Sequence, residues 1–267
     1  MHNDILLRHI LLRHDANGIA SLTLNAPASF NALSTAMLTA LQTEIARLHS
    51  DPTIRVVILK GAGKAFCAGH DLREMQAARQ APDQGREAFQ TLFAHCTAVM
   101  QALQNLPQPT IAQVHGLATA AGCQLVAACD MATAATGTRF GVNGINLGLF
   151  CSTPMVALTR KIAPAIAFEM LTTGTFIDAA RAYEVGLINR LTTPKTLESE
   201  TQSLAEILAA KLPAALRLGK AAFRDTAPLD TAEAYAVASA VMVENILLPD
   251  ADEGITAFLE KRKPSWA

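Results

Sequence analysis

The sequence predicts an α/β fold in which the last part of the chain is entirely helical. Segments with the alternating or continuous apolar pattern of strands alternate with segments of helical periodicity up to about residue 193. Hydrophobic residues make up 51% of the 267-residue chain and aromatic residues only 5%, so the core must be aliphatic. We therefore expect a core formed by residues 1–195 and a helical C-terminal region formed by residues 196–267. In this region, helical patterns cover roughly residues 194–212, 213–224, 230–248 and 250–262.

The composition excludes several classes of function. The 22 Lys and Arg residues nearly balance the 23 Asp and Glu residues, which argues against a nucleic-acid partner bound by bulk electrostatics. No apolar run approaches the ~20 residues of a membrane span, so no membrane partner is expected. The N-terminal segment is interrupted by Arg8, His9 and Arg13 and lacks a cleavage site, so we expect no signal peptide. Five scattered cysteines, an odd number, are typical of reduced thiols in a cytoplasmic protein.

The first part of the chain predicts two strands, a helix and a buried strand. Residues 15–18 contain an Asn-Gly pair, which favours a hairpin turn between strands at residues 6–12 and 19–24. Ser34 is placed to cap a helix in which apolar residues recur at helical spacing. Residues 55–59 predict a strand that is buried on both faces, because the four residues after Arg55 are all apolar.

The next predicted elements lead to a long amphipathic helix. Residues 61–69 form a turn rich in Gly and Ala, after which Asp71 begins a helix with acidic residues in its first turn, as the helix dipole favours. Residues 80–85 are polar and predict an exposed loop. Residues 86–106 place their apolar side chains on one face of a helix.

A second turn of small residues lies in the middle of the chain. Residues 110–114 predict a buried strand and residues 120–128 a buried helix. The turn between them, residues 116–122, leaves backbone N–H groups uncovered, and the start of the helix adds free donors and a partial positive charge. Such a turn can hold a carbonyl oxygen on which negative charge builds. The alternative is a tightly packed turn without a ligand.

The remaining elements before the helical region are short. Residues 131–136 predict a strand, and residues 143–152 predict a loop rich in Gly and Asn. Pro154 lies in the first turn of a helix, a position that proline favours. A short helix over residues 178–185 and a strand over residues 187–191 complete the alternating part of the chain.

The two turns of small residues belong to a longer series of motifs that follow one another in a specific order. The series contains Asn31-Ala32-Leu33, Ala65-Phe66, Ala68-Gly69-His70-Asp71-Leu72, residues 116–122, Gly174, Ala179, Ala182, residues 186–189 and residues 253–264. Each motif alone is weak, but the ordered set spans nearly the whole chain. In this order it resembles the crotonase superfamily, the enoyl-CoA hydratase/isomerase family.

The resemblance implies both a fold and a ligand. The fold would be a crotonase (ClpP-like) spiral of ββα units with a helical C-terminal trimerisation region, forming a homotrimer or a hexamer built from two trimers. The ligand would be an acyl thioester of coenzyme A, with no prosthetic group and no metal. By position, the backbone N–H groups of His70 and Ala121 would form an oxyanion hole for the thioester. The substrate-binding residues implied are Ala68, His70, Asp71, Leu72, Arg73, Ala121, Asn143 and Cys151.

Two positions depart from the family pattern. A typical hydratase of this family uses two glutamates to hold and split a water molecule, and the resemblance places Gln124 and Gly144 at their positions. The amide of Gln124 can hydrogen-bond a water molecule but cannot exchange a proton near neutral pH, and Gly144 has no side chain. We therefore expect Gln124 to remain in the catalytic site, CoA-thioester binding to be kept and efficient hydration to be lost.

Other side chains offer alternative or additional roles. The imidazole of His70 lies at the active-site turn and could act as acid or base. Cys151 as a nucleophile needs a base, and none is evident nearby in sequence, so a packed thiol is favoured. Lys64 and Arg73 flank the first turn and Lys261 ends the last helix, where each could bind the phosphates of coenzyme A. For Lys261 the alternative is a solvated helix end that complements the dipole.

Three hypotheses for the function remain. The first is a nominal enoyl-CoA hydratase, a lyase. The second is an isomerase, hydrolase or decarboxylase that needs only the oxyanion hole and another polar group. The third is an acyl-CoA-binding protein without catalytic activity. The two missing glutamates favour the second and third, whereas the two small-residue turns favour the first and second.

Overall fold

Nine strands in two sheets organise the part of the chain that the computed structural model describes, residues 9–266. They are β1 (Leu11–Ala16), β2 (Ile19–Leu24), β3 (Val56–Gly61), β4 (Thr110–Val114), β5 (Leu117–Thr119), β6 (Met131–Ala135), β7 (Arg139–Gly141), β8 (Ile177–Asp178) and β9 (Arg190–Thr192). The large sheet has the order β1-β2-β3-β4-β6-β9, and the small sheet has the order β5-β7-β8. Strands β1 and β2 are antiparallel, whereas all other neighbours in the large sheet are parallel.

Eleven α-helices accompany these strands in the described residues. They are α1 (Thr35–His49), α2 (Leu72–Ala78), α3 (Arg86–Gln104), α4 (Ala121–Ala128), α5 (Ser152–Leu158), α6 (Pro164–Thr173), α7 (Ala179–Glu184), α8 (Leu197–Ala209), α9 (Pro213–Thr226), α10 (Thr231–Ile246) and α11 (Pro249–Leu259). Two 3₁₀ turns, Pro27–Ser29 and Asn143–Leu147, lie in the connections. The alternation of strands and helices, followed by helices alone, is confirmed.

The predicted hairpin and the predicted cap of the first helix are confirmed. Asn17 and Gly18 adopt φ angles of 52° and 76° and join β1 to β2. Strand β1 begins at Leu11, later than predicted; residues 6–8 of the predicted strand lie outside the described residues. The hydroxyl of Ser34 accepts a hydrogen bond from the backbone N–H of Met37 at 3.2 Å and caps α1.

The parallel pairing of β3 and β4 determines where the two turns of small residues lie. Val57 pairs with Thr110 and Lys60 with Gln113, so the carboxyl ends of both strands meet at one edge of the sheet. Apolar side chains cover both faces of these strands: a large aliphatic core on one face and a smaller cluster with α8 on the other. This burial explains the continuous apolar run of β3.

Several short elements were not predicted. Strands β5, β7 and β8 contain two or three residues each, and helix α6 was also missed. The strand predicted at residues 187–191 is β9, which begins at Arg190. The reason is that Leu187 and Ile188 are buried core residues whose N–H groups donate to the carbonyl of Ala182 and close α7.

The four helices after β9 are confirmed, although the division of the chain at residue 195 stays a prediction. Helix α9 is held to the core by Lys220, whose Nζ donates to the carboxylate of Asp130 at 2.7 Å and to the carbonyl of Gln108 at 2.9 Å. None of the described helices is by itself both long enough and apolar enough to cross a membrane. Helices α10 and α11 pass that test only when taken together, and the chain bends by 75° between them.

Candidate active site

The turns that follow β3 and β4 lie against each other at the edge of the large sheet. The N–H of Cys67 donates to the carbonyl of Leu117 at 3.1 Å, and the N–H of Thr119 donates to the carbonyl of Cys67 at 3.1 Å. A Cβ atom on Gly122 would overlap the carbonyl oxygen of Cys67 and lie 2.8 Å from its carbonyl carbon. The small residues are therefore required by the packing of the two turns, whether or not a ligand binds there.

Two backbone N–H groups at this junction, those of His70 and Ala121, donate no hydrogen bond to another described residue. A Cβ atom on Gly69 would lie 3.4 Å from the backbone nitrogen of Ala121, so the two turns approach closely at this point. Ala121 is the first residue of α4, where a helix leaves its N–H groups unbonded. Ala120 has a φ angle of 49°, a conformation rare for residues other than glycine and frequent at functional sites. Neighbouring free donors of this kind are suited to hold a carbonyl oxygen.

The imidazole of His70 is packed inside the protein without a hydrogen bond. Both ring nitrogens are buried and have no partner among the described residues. The ring meets that of Phe93 edge-on, with the two ring centroids 5.6 Å apart. Burial lowers the pKa of His70, and the backbone of Leu33 opposes this shift only in part. The ring is therefore neutral at neutral pH.

Gln124 and Gly144, the two positions that the resemblance assigns to the family glutamates, differ in how much room they offer to a side chain. Gln124 lies about one helical turn after Ala121, and its Oε1 atom is buried without a hydrogen-bond partner in the described chain. Gly144 lies in the 3₁₀ turn before α5. A Cβ atom on Gly144 would lie 2.6 Å from the carbonyl oxygen of Leu149 and 2.8 Å from Sγ of Cys151. The loop is thus closed tightly around Gly144, whereas Gln124 already carries a long side chain.

Asn143 and Cys151 both lie next to Gly144, but their side chains have different surroundings. Asn143 is joined to the second turn because its Oδ1 accepts a hydrogen bond from the hydroxyl of Thr119. Cys151 is buried immediately before α5, and this burial raises the pKa of its thiol, a shift that the backbone of Gly144 opposes. A buried thiol with a raised pKa fits a packing role better than a nucleophilic one. The other four cysteines are also free and buried.

The remaining predicted residues lie around the first turn, with one exception. Ala68 is half-buried, and Asp71 caps α2 by accepting a hydrogen bond from the N–H of Arg73 at 2.8 Å. Lys64, Leu72 and Arg73 are exposed. Lys261 follows α11, and no hydrogen bond or ion pair within residues 9–266 links it to either turn. Its proposed role in phosphate binding therefore stays a prediction.

The structure also adds side chains that the sequence analysis did not single out. Phe93 packs on His70, and Thr97 and Arg160 lie with Gln124 around one cavity. Phe93 belongs to the predicted apolar face of α3, so the pattern contained a signal for it. Thr97 lies in α3 and Arg160 in the turn after α5, and no local pattern in the sequence predicts that these two segments converge on Gln124.

Comparison with known proteins gives matches over nearly the whole chain. A family model described as enoyl-CoA hydratase/isomerase matches residues 14–267. The mouse protein named enoyl-CoA hydratase domain-containing protein 3, mitochondrial, is 43% identical over 94% of this chain and 82% of its own length. A protein of Syntrophomonas wolfei named crotonyl-CoA hydratase is 32% identical over 93% of this chain and 94% of its own length. The solved structure of an enoyl-CoA hydratase from Mycobacterium smegmatis is 52% identical, with a TM-score of 0.93, and covers 96% of this chain and 98% of its own.

These matches confirm two expectations and contradict one. The crotonase fold is confirmed, and so is the specific similarity to enoyl-CoA hydratase domain-containing protein 3. The motifs at residues 69–71, 115–124 and 149–154 predict this similarity. The name of the mouse relative, however, places that protein in mitochondria. The cytoplasmic location predicted from the sequence is therefore wrong.

Proposed function

The chain belongs to the enoyl-CoA hydratase/isomerase family, and from this premise we propose that it binds acyl-CoA thioesters and stabilises the thioester enolate between the backbone N–H groups of His70 and Ala121. The observation that carries this proposal is the contact of the two turns, which brings Gly69 close to the nitrogen of Ala121 and leaves both donors without a partner in the described residues. Donors fixed in advance stabilise developing negative charge without reorganisation. Coenzyme A enters as part of the substrate.

The surrounding side chains suit this role in different ways. Asn143 is hydrogen-bonded to the second turn, Cys151 lies against Gly144, and Ala68, Asp71 and Leu72 belong to or follow the first turn. We place the acyl group among these residues. Lys64 and Arg73 are exposed cations beside the first turn and are suited to the phosphates of coenzyme A. Lys261, at the end of α11, is proposed to reach the phosphates of a neighbouring subunit's ligand.

Replacement of Ala121 by proline tests the oxyanion hole directly. Ala121→Pro removes one N–H donor at the first position of α4, where proline is tolerated because that N–H makes no helical hydrogen bond. The absorption band of a conjugated dienoyl-CoA thioester shifts to longer wavelength when its carbonyl oxygen is polarised. We expect wild-type protein to produce this shift and Ala121→Pro to lose most of it. Any turnover of acyl-CoA should fall by roughly 10²–10³-fold.

Thr231→Pro is the matched control, because it places proline at the first position of the remote helix α10. This variant should shift the dienoyl-CoA band as the wild type does. An equal shift in wild type and Ala121→Pro, with both variants folded by circular dichroism, would show that the N–H of Ala121 does not bind the thioester oxygen.

The reaction that follows enolate stabilisation is proposed to differ from ordinary hydration. Gln124 and Gly144 supply no carboxylate, so the nominal hydratase activity is expected to be weak. The neutral, buried imidazole of His70 is compatible with an isomerase or a hydrolase, in which it would take a proton from the substrate or from water. It is also compatible with a decarboxylase, in which loss of CO₂ leaves an enolate and the ring N–H would supply the proton that the enolate takes up. Binding of acyl-CoA without turnover of enoyl-, malonyl- or 3-hydroxyacyl-CoA would leave only a non-catalytic binding protein.

We also propose that the protein assembles as a trimer or a dimer of trimers. The C-terminal helices expose large apolar side chains, including Phe223 (83% exposed), Leu247 (76%) and Phe258 (82%). Such side chains are typical of surfaces that are covered by a partner. Sedimentation velocity should give a mass of three or six chains of 28.3 kDa. A monomer at micromolar concentration would exclude this assembly.

A further inference from the structure

A cavity lies beside the proposed thioester site, and Gln124 forms part of its wall. Its volume is about 220 Å³. Gln124 follows Ala121 by three residues, which places it on the same face of α4 and about 4.5 Å further along the helix axis. The cavity opens to the surface and lies between α3, α4, α5 and Arg160, which follows α5. A chain that extends from a thioester held at Ala121 would reach this space.

The walls of this cavity are rich in hydrogen-bond donors that the protein does not use. Five of the lining side chains are neutral and polar, and within residues 9–266 none of them donates to another protein group: Thr97, Gln101, Gln104, Gln124 and Thr153. An alkyl chain entering here would take these groups out of water without giving them a partner, which costs free energy. A group with several acceptor oxygens would satisfy their N–H and O–H groups, but not the unpartnered Oε1 atom of Gln124, which is itself an acceptor.

Arg160 gives the cavity a positive charge. Its Nη1 donates to the carbonyl of Val156 at 2.8 Å, but the described chain provides no carboxylate as an ion-pair partner for the guanidinium. No Asp or Glu lines the cavity. A carboxylate has no donors and several acceptor sites, so it matches both the cation and the amide and hydroxyl groups.

We propose that this cavity binds the far end of the acyl group and that this end is a carboxylate, so that the substrates are short dicarboxylic acyl-CoA thioesters. Arg160 is then the residue that selects the carboxylate. The space equals about seven water volumes of ~30 Å³ each, enough for a carboxylate and a few methylene groups. This inference rests on the proposed binding of acyl-CoA at His70 and Ala121.

Glutaryl-CoA and pentanoyl-CoA form a matched pair of probes, because both acyl groups have five carbon atoms and only glutaryl ends in a carboxylate. Isothermal titration of the full chain should give a Kd for glutaryl-CoA about tenfold lower than for pentanoyl-CoA. In Arg160→Met the Kd for glutaryl-CoA should rise about tenfold, while that for pentanoyl-CoA stays within about twofold. Arg160→Lys keeps the charge and should lose less affinity for glutaryl-CoA than Arg160→Met.

The outcomes separate this inference from the proposed function. If pentanoyl-CoA binds as tightly as glutaryl-CoA, or if Arg160→Met weakens both equally, the carboxylate site is excluded and the thioester site stands. If neither acyl-CoA binds more tightly than coenzyme A alone, both proposals fail. Arg160 is on the surface, and among the described residues its side chain donates a hydrogen bond only to the carbonyl of Val156, four residues earlier. Its variants should therefore melt as the wild type does.

Discussion

Hydration of crotonyl-CoA by this protein is expected to be at least about a hundredfold slower than by the relative from Syntrophomonas wolfei that is named crotonyl-CoA hydratase. Adding water across a double bond requires one group to take a proton from the water and one to give a proton to the α-carbon. General acid–base catalysis by a positioned side chain typically contributes ~10²–10⁴-fold. Neither Gln124 nor Gly144 can exchange a proton near neutral pH, so we expect this contribution to be missing.

The two positions should respond differently when the carboxylate is introduced. Gln124→Glu changes an amide for a carboxylate of nearly the same shape, so the fold should be kept and the hydration rate should rise. Gly144→Glu cannot be accommodated in the same way, because its Cβ atom would lie 2.6 Å from the carbonyl oxygen of Leu149 and 2.8 Å from Sγ of Cys151. We expect Gly144→Glu, alone or combined with Gln124→Glu, to be destabilised by about 1–3 kcal/mol and to gain little activity.

Loss of absorbance of the enoyl thioester, followed at micromolar enzyme, measures these rates side by side with the Syntrophomonas wolfei protein. Gln124→Ala serves as the control, since it removes the side chain without adding a carboxylate and should not exceed the wild-type rate. Wild-type turnover equal to that of the Syntrophomonas wolfei protein would mean that other residues supply both protons, and the interpretation of Gln124 and Gly144 would be wrong.

Local sequence patterns, such as helix caps and hydrophobic periodicity, predicted the helices and strands that position the site. Ser34 caps its helix as expected, and the second helix begins at Asp71 as expected, because helix starts depend mainly on the nearest turn of backbone. The small sheet was missed since its strands, of two or three residues, are too short to show a period. They are held by tertiary contacts, such as the hydrogen bond from the N–H of Ala120 to the carbonyl of Gly141.

In the candidate site too, the parts that depend on local sequence could be predicted, and the parts that depend on tertiary contacts could not. The turns that contain His70 and Ala121 could be identified from their small residues, because close approach of backbone excludes larger side chains. The environment of Gln124 could not be identified in this way. Its cavity is lined by polar side chains such as Thr97 in α3 and Arg160 after α5. These two segments meet only in the folded chain. A polar residue on the exposed side of a predicted helix looks the same whether it faces solvent or a cavity.

Replacement of Gly122 by alanine is expected to separate the two turns and to remove acyl-CoA binding. The new Cβ atom would overlap the carbonyl oxygen of Cys67 and lie 2.9 Å from the Cβ atom of Cys67. Cys67 is fully buried and its backbone is bonded to Leu117 and Thr119, so it cannot move without breaking those contacts. We expect a loss of about 3 kcal/mol, which corresponds to a fall in Tm of roughly 6–12 °C for a chain of this size.

Gly219→Ala provides the matched comparison, because Gly219 is also a helical glycine but a Cβ atom on it would meet no other atom within 4 Å. Alanine there should stabilise the protein by roughly 0.5–1 kcal/mol through its higher helix propensity. Melting curves by circular dichroism and the dienoyl-CoA band shift should be measured for both variants. Since the chemical change is identical, opposite effects on Tm isolate the contact with Cys67. Unchanged melting and an unchanged band shift in Gly122→Ala would show that the turns do not approach closely enough to bring the N–H groups of His70 and Ala121 to one oxygen atom.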